Sequence, residues 1–516
     1  MQRVLRKRIL RDLKENAFRY LALSAMIVLC MYIIISLIGT ADTIIIGSEK
    51  FATENRLEDG QFTAFTPLSV TEKQELTELG ITLEEQFYLD YQMEDESTLR
   101  VFKNREKINL VELIAGEKAR EAYEVVLERR YADEHELEVG GSIAIGGEEF
   151  EIVGIGCSPD YDATYKKLTD SSVNSFQFGT AFVTEAAYEE LLKAGESIQA
   201  EEYAYAYLLN AAITDEELKD LLQEIKASET EMTKLTGFVK VENNPRAYAA
   251  ANDQIINKYG GIIAGAIVLV LFAYVISVFV VYGIEKENTT IGALYALGVR
   301  RGELILHYLC LPVLIMLLSG VLGCVLGFAA IGESTIMGNA YSYFSIPQMK
   351  TVYQGYLIVY GIVLPPLISA LVNWMVIGKK LNKPALQLLR NEQKTGNMSH
   401  IKLEGLGFIT SFRIRQMLRE VRTSLTVVGG MFIALLILML GLDCYAMCNH
   451  ISEDNKTDTR FEYLYTYKYP EETVPEGGYE AFAKTVKKKN LGYNLDVTIL
   501  GITEENPFFD VELTDN

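Results

Sequence analysis

Hydrophobic and polar positions alternate along this chain on two length scales. On the long scale, five runs are apolar enough to cross a bilayer, which takes about 20 residues: Tyr20–Gly39, Gly260–Ile284, Leu304–Ile331, Tyr356–Gly378 and Leu425–Leu442. On the short scale, Ser142–Gly156 (SIAIGGEEFEIVGIG) alternates as two strands would, joined at Gly146-Gly147 in a hairpin signal. TEKQELTELG and TDEELKDLLQEIKAS carry helical spacing, the second with Thr214 as N-cap and Glu217 three residues on. Residues 2–19 predict an amphipathic interfacial helix, with Leu5, Ile9 and Leu13 on one stripe and basic residues elsewhere. The first long run is too long for a signal-peptide core and lacks a small-x-small cleavage site, so it reads as a retained helix.

The pattern predicts a polytopic α-helical membrane protein with an α+β extracytoplasmic domain. Its parts are an amphipathic helix over 1–19, spans at 20–41, 259–284, 304–331, 356–378 and 425–446, and an outer domain over 42–258. Connecting them are a short cytoplasmic helix within 285–303, an outer loop over 332–355 and a cytoplasmic linker with a second amphipathic helix over 379–424. Residues 447–516 read as the start of a second outer domain. ILRDLK (Ile9–Lys14) is echoed by MLREVR (Met417–Arg422), each ahead of an apolar run and then aromatic-rich polar sequence, which suggests a repeat of helix, span and outer domain. The chain ends without further spans, so the second repeat is expected to be partial.

Charge sharpens this picture. The formal net charge is −21, yet residues 40–258 alone hold 45 acidic and 20 basic side chains, so the rest of the chain is slightly basic. That sign disfavours nucleic acid as a partner. Lys and Arg concentrate at 1–19, 285–303 and 379–424 and are nearly absent from 332–352, which predicts a cell-membrane protein with a cytoplasmic N-terminus and the acidic domain outside. An acidic outer surface suits a cationic peptide or a cell-envelope protein, although solubility alone accounts for it as well.

Chemistry is sparse. The sequence has no G-x-x-x-x-G-K-[ST], no G-x-S-x-G and no histidine spacing for a metal. SPDYDATY (Ser158–Tyr165) places Asp160 and Asp162 at alternate positions but lacks the glycine and distal Glu of a calcium loop. Cys157 is alone in the outer domain, and Cys444 and Cys448 read as small helix residues rather than a redox pair. No enzymatic activity, metal or cofactor is expected of this chain. The spans hold almost no ionisable group, which argues against an ion or proton pathway, and Asn373 is expected to make a helix–helix hydrogen bond. Gly261 and Gly265, and the ladder Ser319, Gly323 and Gly327, predict close helix packing within one chain, with a homo- or hetero-dimer face as the alternative.

Between the second and third runs lies EKENTTIGALYALGVRRGEL (Glu285–Leu304). Asn288 or Thr289 would cap a two-turn helix that Gly298 ends, with Ile291, Leu294 and Tyr295 on one face. That face would plug a groove on a cytosolic protein or rest on lipid. Here the sequence resembles FtsX-like permeases, through Ile291, Gly292, Leu294, Ala296, Leu297 and Gly298; it departs from their pattern at Glu287 and Thr290. LNKPALQLLR (Leu381–Arg390) resembles the exit from their last span, and Val125–Ile155 resembles a MacB-like outer domain. The resemblance implies the permease subunit of an ABC system of the mechanotransmission type. In such a system a separate ATPase dimer binds ATP and grips Ile291, Gly292, Leu294, Tyr295, Ala296, Leu297 and Gly298. Its motion would drive export or extraction of a peptide, antimicrobial or lipid-linked substrate outside. The alternative is a regulatory subunit that controls a cell-wall hydrolase or senses a ligand without transport.

Overall fold

The computed structural model describes residues 9–382, with breaks at 10, 12, 169, 171, 211–212, 228–232 and 334, and parts of 407–508. Residues 1–392 and 393–516 form separate compact units. In the first unit, residues 13–15 are helical and a turn at Asn16 precedes α1 (Ala17–Glu54). Ile9 and Leu13, two residues of the expected amphipathic stripe, pack against the membrane helices. At about 57 Å, from 1.5 Å per residue, α1 is far longer than a bilayer needs. The chain does not leave the helix at Asp42, where the outer domain was expected to begin, but runs on to Glu54.

Two sheets follow. The smaller is fully antiparallel and takes β1 (Gly60–Ala64), β2 (Ile81–Glu85), β10 (Tyr203–Leu209) and β11 (Leu235–Lys240) in the order β11-β1-β10-β2. The larger is mixed and runs β3 (Tyr88–Gln92), β4 (Thr98–Lys103), β9 (Phe178–Val183), β6 (Glu124–Glu128), β8 (Glu148–Cys157), β5 (Glu112–Gly116), with β7 (Ser142–Ile145) on β8. The expected hairpin is β7–β8: Ile145 pairs with Glu148, and Gly146 and Gly147 both take positive φ, as a two-residue primed turn requires. Helices α2 (Val70–Glu78), α3 (Arg129–Glu134), α4 (Glu185–Ala194) and α5 (Asp215–Glu224) cover the sheets. The Thr214–Glu217 capping box starts α5 as expected, and a second one, Ser69–Glu72, starts α2. One apolar core ties both sheets together around Phe62, Tyr91, Leu127, Tyr131, Leu191 and Tyr205, with Phe62 stacked on Tyr205 at 5.1 Å.

The chain returns through α6 (Ala249–Lys286), a short α7 (Asn288–Ala296) and α8 (Arg301–Ala330). The outer connection is not a plain loop but carries α9 (Thr335–Tyr343), and α10 (Gly355–Lys380) closes the unit. A π turn at Val359–Val363 precedes Pro365 and Pro366, whose missing N–H groups cannot donate to the preceding turn. Four helices among the described residues are long and apolar enough to span a membrane, namely α1, α6, the stretch Arg301–Tyr343 and α10. The fifth expected span falls in part outside the described residues, although residues 438–450 are helical.

α1 and α10 each pack along both α6 and α8. The small residues are used inside this bundle: Gly261 and Gly265 meet Ile38 and Ile34 of α1, while Gly323 and Gly327 meet Met31 and Ile35. Ser319 shares a 2.7 Å hydrogen bond with Ser24. These positions therefore serve packing within the chain. Asn373 on α10 donates to the Ala273 carbonyl of α6 at 3.4 Å, the interhelical bond expected of it.

In the second unit, α11 (Phe408–Arg419) covers the start of the expected second amphipathic helix, and β12 (Ala481–Asn490) pairs antiparallel with β13 (Tyr493–Ile502). Most of the 379–424 linker, with residues 383–390 of the LNKPALQLLR motif, lies outside the described residues.

Candidate functional sites at the two ends of the membrane helices

At one end, α7 makes a corner between α6 and α8. Its start is not capped by Asn288 or Thr289: Glu287 holds the N-cap position, without a side-chain cap. Its end is as expected, with Gly298 at φ +90° just beyond the helix. The apolar face is turned the opposite way from the expectation. Ile291 is 0% exposed and Gly292 is buried, while Leu294 and Tyr295 pack against the membrane-helix core. The physical reason is that a nine-residue helix held at both ends by long helices buries its only apolar stripe against them. What remains outward is Thr289, Thr290, Ala293, Ala296, Leu297 and Gly298, with Leu297 82% exposed.

Side chains hold the corner in place. Tyr295 Oη donates to the Leu381 carbonyl at 3.0 Å, and Arg301 donates to the Gly378 carbonyl at 2.7 Å. Tyr308 Oη donates to Glu287 at 3.0 Å, and Lys380 pairs with Glu285. The ends of α6, α8 and α10 are thereby tied together around α7. His307, near this end, is buried and packs edge-on against Tyr308.

At the other end, the outer domain grips the same helices. Asp162 accepts a 3.1 Å hydrogen bond from the Ala250 N–H in the first turn of α6, and its carbonyl accepts from Ser345 N–H at 2.7 Å. Arg129 donates to the carbonyls of Tyr341 and Phe344, both at 2.6 Å. Arg246, just ahead of α6, donates back to the carbonyls of Tyr165 and Lys166. Asp160 pairs with buried Arg105 instead. The acidic SPDYDATY loop is thus a structural joint, and among the described residues no cluster could hold a metal ion. Burial pushes Asp162 up to about 7. Burial, helped by nearby Asp160, does the same for Glu58, which accepts hydrogen bonds from Asn109 and Asn244. Cys157 is fully buried and burial pushes its thiol up to about 12, so it is unreactive.

Where α1 and α6 leave the membrane zone, Asp42 is 2% exposed and pairs with Lys258 at 2.7 Å, while Tyr356 Oη donates to it at 2.6 Å. Nothing in the sequence pattern singled out Arg129, Asp42 or Lys258. Their partners are distant in the chain, and no spacing rule links them.

Residues 262–384 match the family model of the FtsX-like permease C-terminal domain. The match begins inside α6 and ends just beyond α10, so it takes in α7 and leaves the outer domain aside. No curated protein matches the chain. With its long apolar helices, the chain is a multi-pass membrane protein carrying an FtsX-like permease domain, the kind of domain that works in ABC-transporter-type permease subunits.

Proposed function

We propose that this chain is the permease subunit of an ABC complex of the mechanotransmission type, with ATP bound and hydrolysed by a separate ATPase dimer. The observation that carries the reading is α7: a short helix inside the matched domain, set between α6 and α8 and hydrogen-bonded through Tyr295 to the end of α10, that turns Leu297 and its small neighbours outward. An ATPase docking there moves α6, α8 and α10 together. α1 and α6 extend unbroken toward the outer domain, so the motion arrives as a displacement of rigid rods. In this reading the N-terminus and α7 are cytoplasmic, the two-sheet domain is a MacB-like domain outside the cell membrane, and substrate is handled there.

The test is co-purification with candidate ATPases in mild detergent, followed by ATP hydrolysis in the complex. Leu297→Asp should weaken association about tenfold or more, the scale of a desolvated charge at an interface, with unfolding temperature unchanged. Retained association in that variant would overturn α7 as the docking element. If no ATPase binds and the outer domain instead activates a cell-wall hydrolase, the regulatory reading takes its place.

A further inference from the structure

A cavity of about 870 Å³ opens where the outer domain meets the membrane helices. Its size is within the usual range for small-molecule sites, roughly 300–1,000 Å³. Its lining is mixed. Leu37 of α1, Ile336 of α9 and Phe344 are apolar, while Asn252 and Asn257 on α6, Asn339 and Ser342 on α9, and Tyr165 supply amides and hydroxyls. Asp253 is the one charged side chain in the lining. Gln254 donates to Asp253 at 2.9 Å and accepts from Asn257 at 3.2 Å, which fixes that carboxylate beside an amide row. The side-chain amides of Asn252 and Asn339 make no hydrogen bond among the described residues, and they line the same space from α6 and α9.

We propose that this cavity binds a single-chain amphiphile whose head is amide-bearing and carries one positive charge. The acyl chain follows Leu37 and Ile336, and the amides of the head pair with Asn252, Asn257 and Asn339. The cation sits at Asp253. A phosphate or carboxylate head finds no cation in the lining and meets Asp253 as a like charge. The cavity is also where force would act on a ligand. Its walls include α6, α9 and Tyr165 of the SPDYDATY loop, and Asp162 of that loop bonds to Ala250 of α6 and to Ser345 just beyond α9. The inference deepens the permease reading, resting on it for the cavity's place at the membrane surface, and fails separately from it because binding is measured without an ATPase.

The experiment uses the full chain in lipid nanodiscs and photo-crosslinkable dodecyl probes with three heads: lysine amide, its Nε-acetylated form, and phosphate. Labelled peptides are mapped. Saturable labelling by the lysine-amide probe is expected in the peptides that contain residues 252–257 or 335–344. Acetylation should weaken it about tenfold, the scale of one charge-assisted hydrogen bond. Asp253→Asn should erase that difference, and Asn339→Trp, which fills the cavity from an exposed position, should abolish labelling by both probes. The phosphate probe should label nothing saturably, and lysine amide without the chain should not compete. Equal labelling by the phosphate probe, competition by the chainless head, or labelling unaffected by Asn339→Trp would each overturn the proposal.

Discussion

Gly323 and Gly327 show what single residues do in this bundle. A Cβ on Gly323 would lie 2.5 Å from the Met31 Cβ and 2.9 Å from the Val28 carbonyl, so the backbones of α1 and α8 are in contact. Gly283, on α6, has open space where a Cβ would go. Gly323→Val should therefore force the helices apart and cost about 1–3 kcal/mol or more, seen as a lower unfolding temperature in detergent. Gly283→Ala should be neutral or raise it slightly, since alanine lowers the entropy of the unfolded chain. Trp374, the single tryptophan, lies on α10 and reports both without a label. A Gly323→Val variant as stable as the parent would refute the close α1–α8 contact.

Elements differ in how far their sequence reveals them. The β7–β8 turn and the Thr214 capping box were legible because the residues that decide them are neighbours. α7 was legible as a helix ended at Gly298, yet its facing was not, since Ile291, Leu294 and Tyr295 would suit an outside groove as well as the inside of a corner. The choice was made by partners such as Leu381, far along the chain. The same holds for the ion pair between α1 and α6: Asp42 reads as the end of a span, and only the structure brings Lys258 to it. Removing one partner leaves a buried charge, so Lys258→Met should destabilise by about 3–5 kcal/mol, while Asp42→Asn with Lys258→Met should recover most of that loss. Thermal unfolding of the two single variants and the double one measures the coupling. Additive losses would mean that the pair does not join α1 to α6.

For the whole molecule, acidity and architecture meet in the outer domain. Residues 40–258 carry the excess of carboxylates, and several of them are buried at its base, among them Glu58 near the end of α1 and Asp162 beside the start of α6. Both are pushed up to about 7 by burial, from ordinary values near 4. The folded chain thus holds protons that the unfolded chain gives up between about pH 4 and 7. Across that window stability falls as pH rises, and above about 8 this contribution is flat. Groups such as Glu72 and Asp95, held below the usual carboxylate range by hydrogen bonds and nearby cations, act the other way and cost stability only as pH falls below about 4.5. Stability should therefore peak near pH 5 and drop by a few kcal/mol on the way to pH 8. Combining Glu58→Gln with Asp162→Asn should flatten that slope, and the Asp162→Asn amide oxygen still accepts from Ala250 N–H. Unfolding curves of parent and double variant at pH 5, 6, 7 and 8 decide the matter. A parent whose stability rises over this range would show that both carboxyls ionise without cost, and the joint would then need counter-charges beyond Arg105 and Arg129.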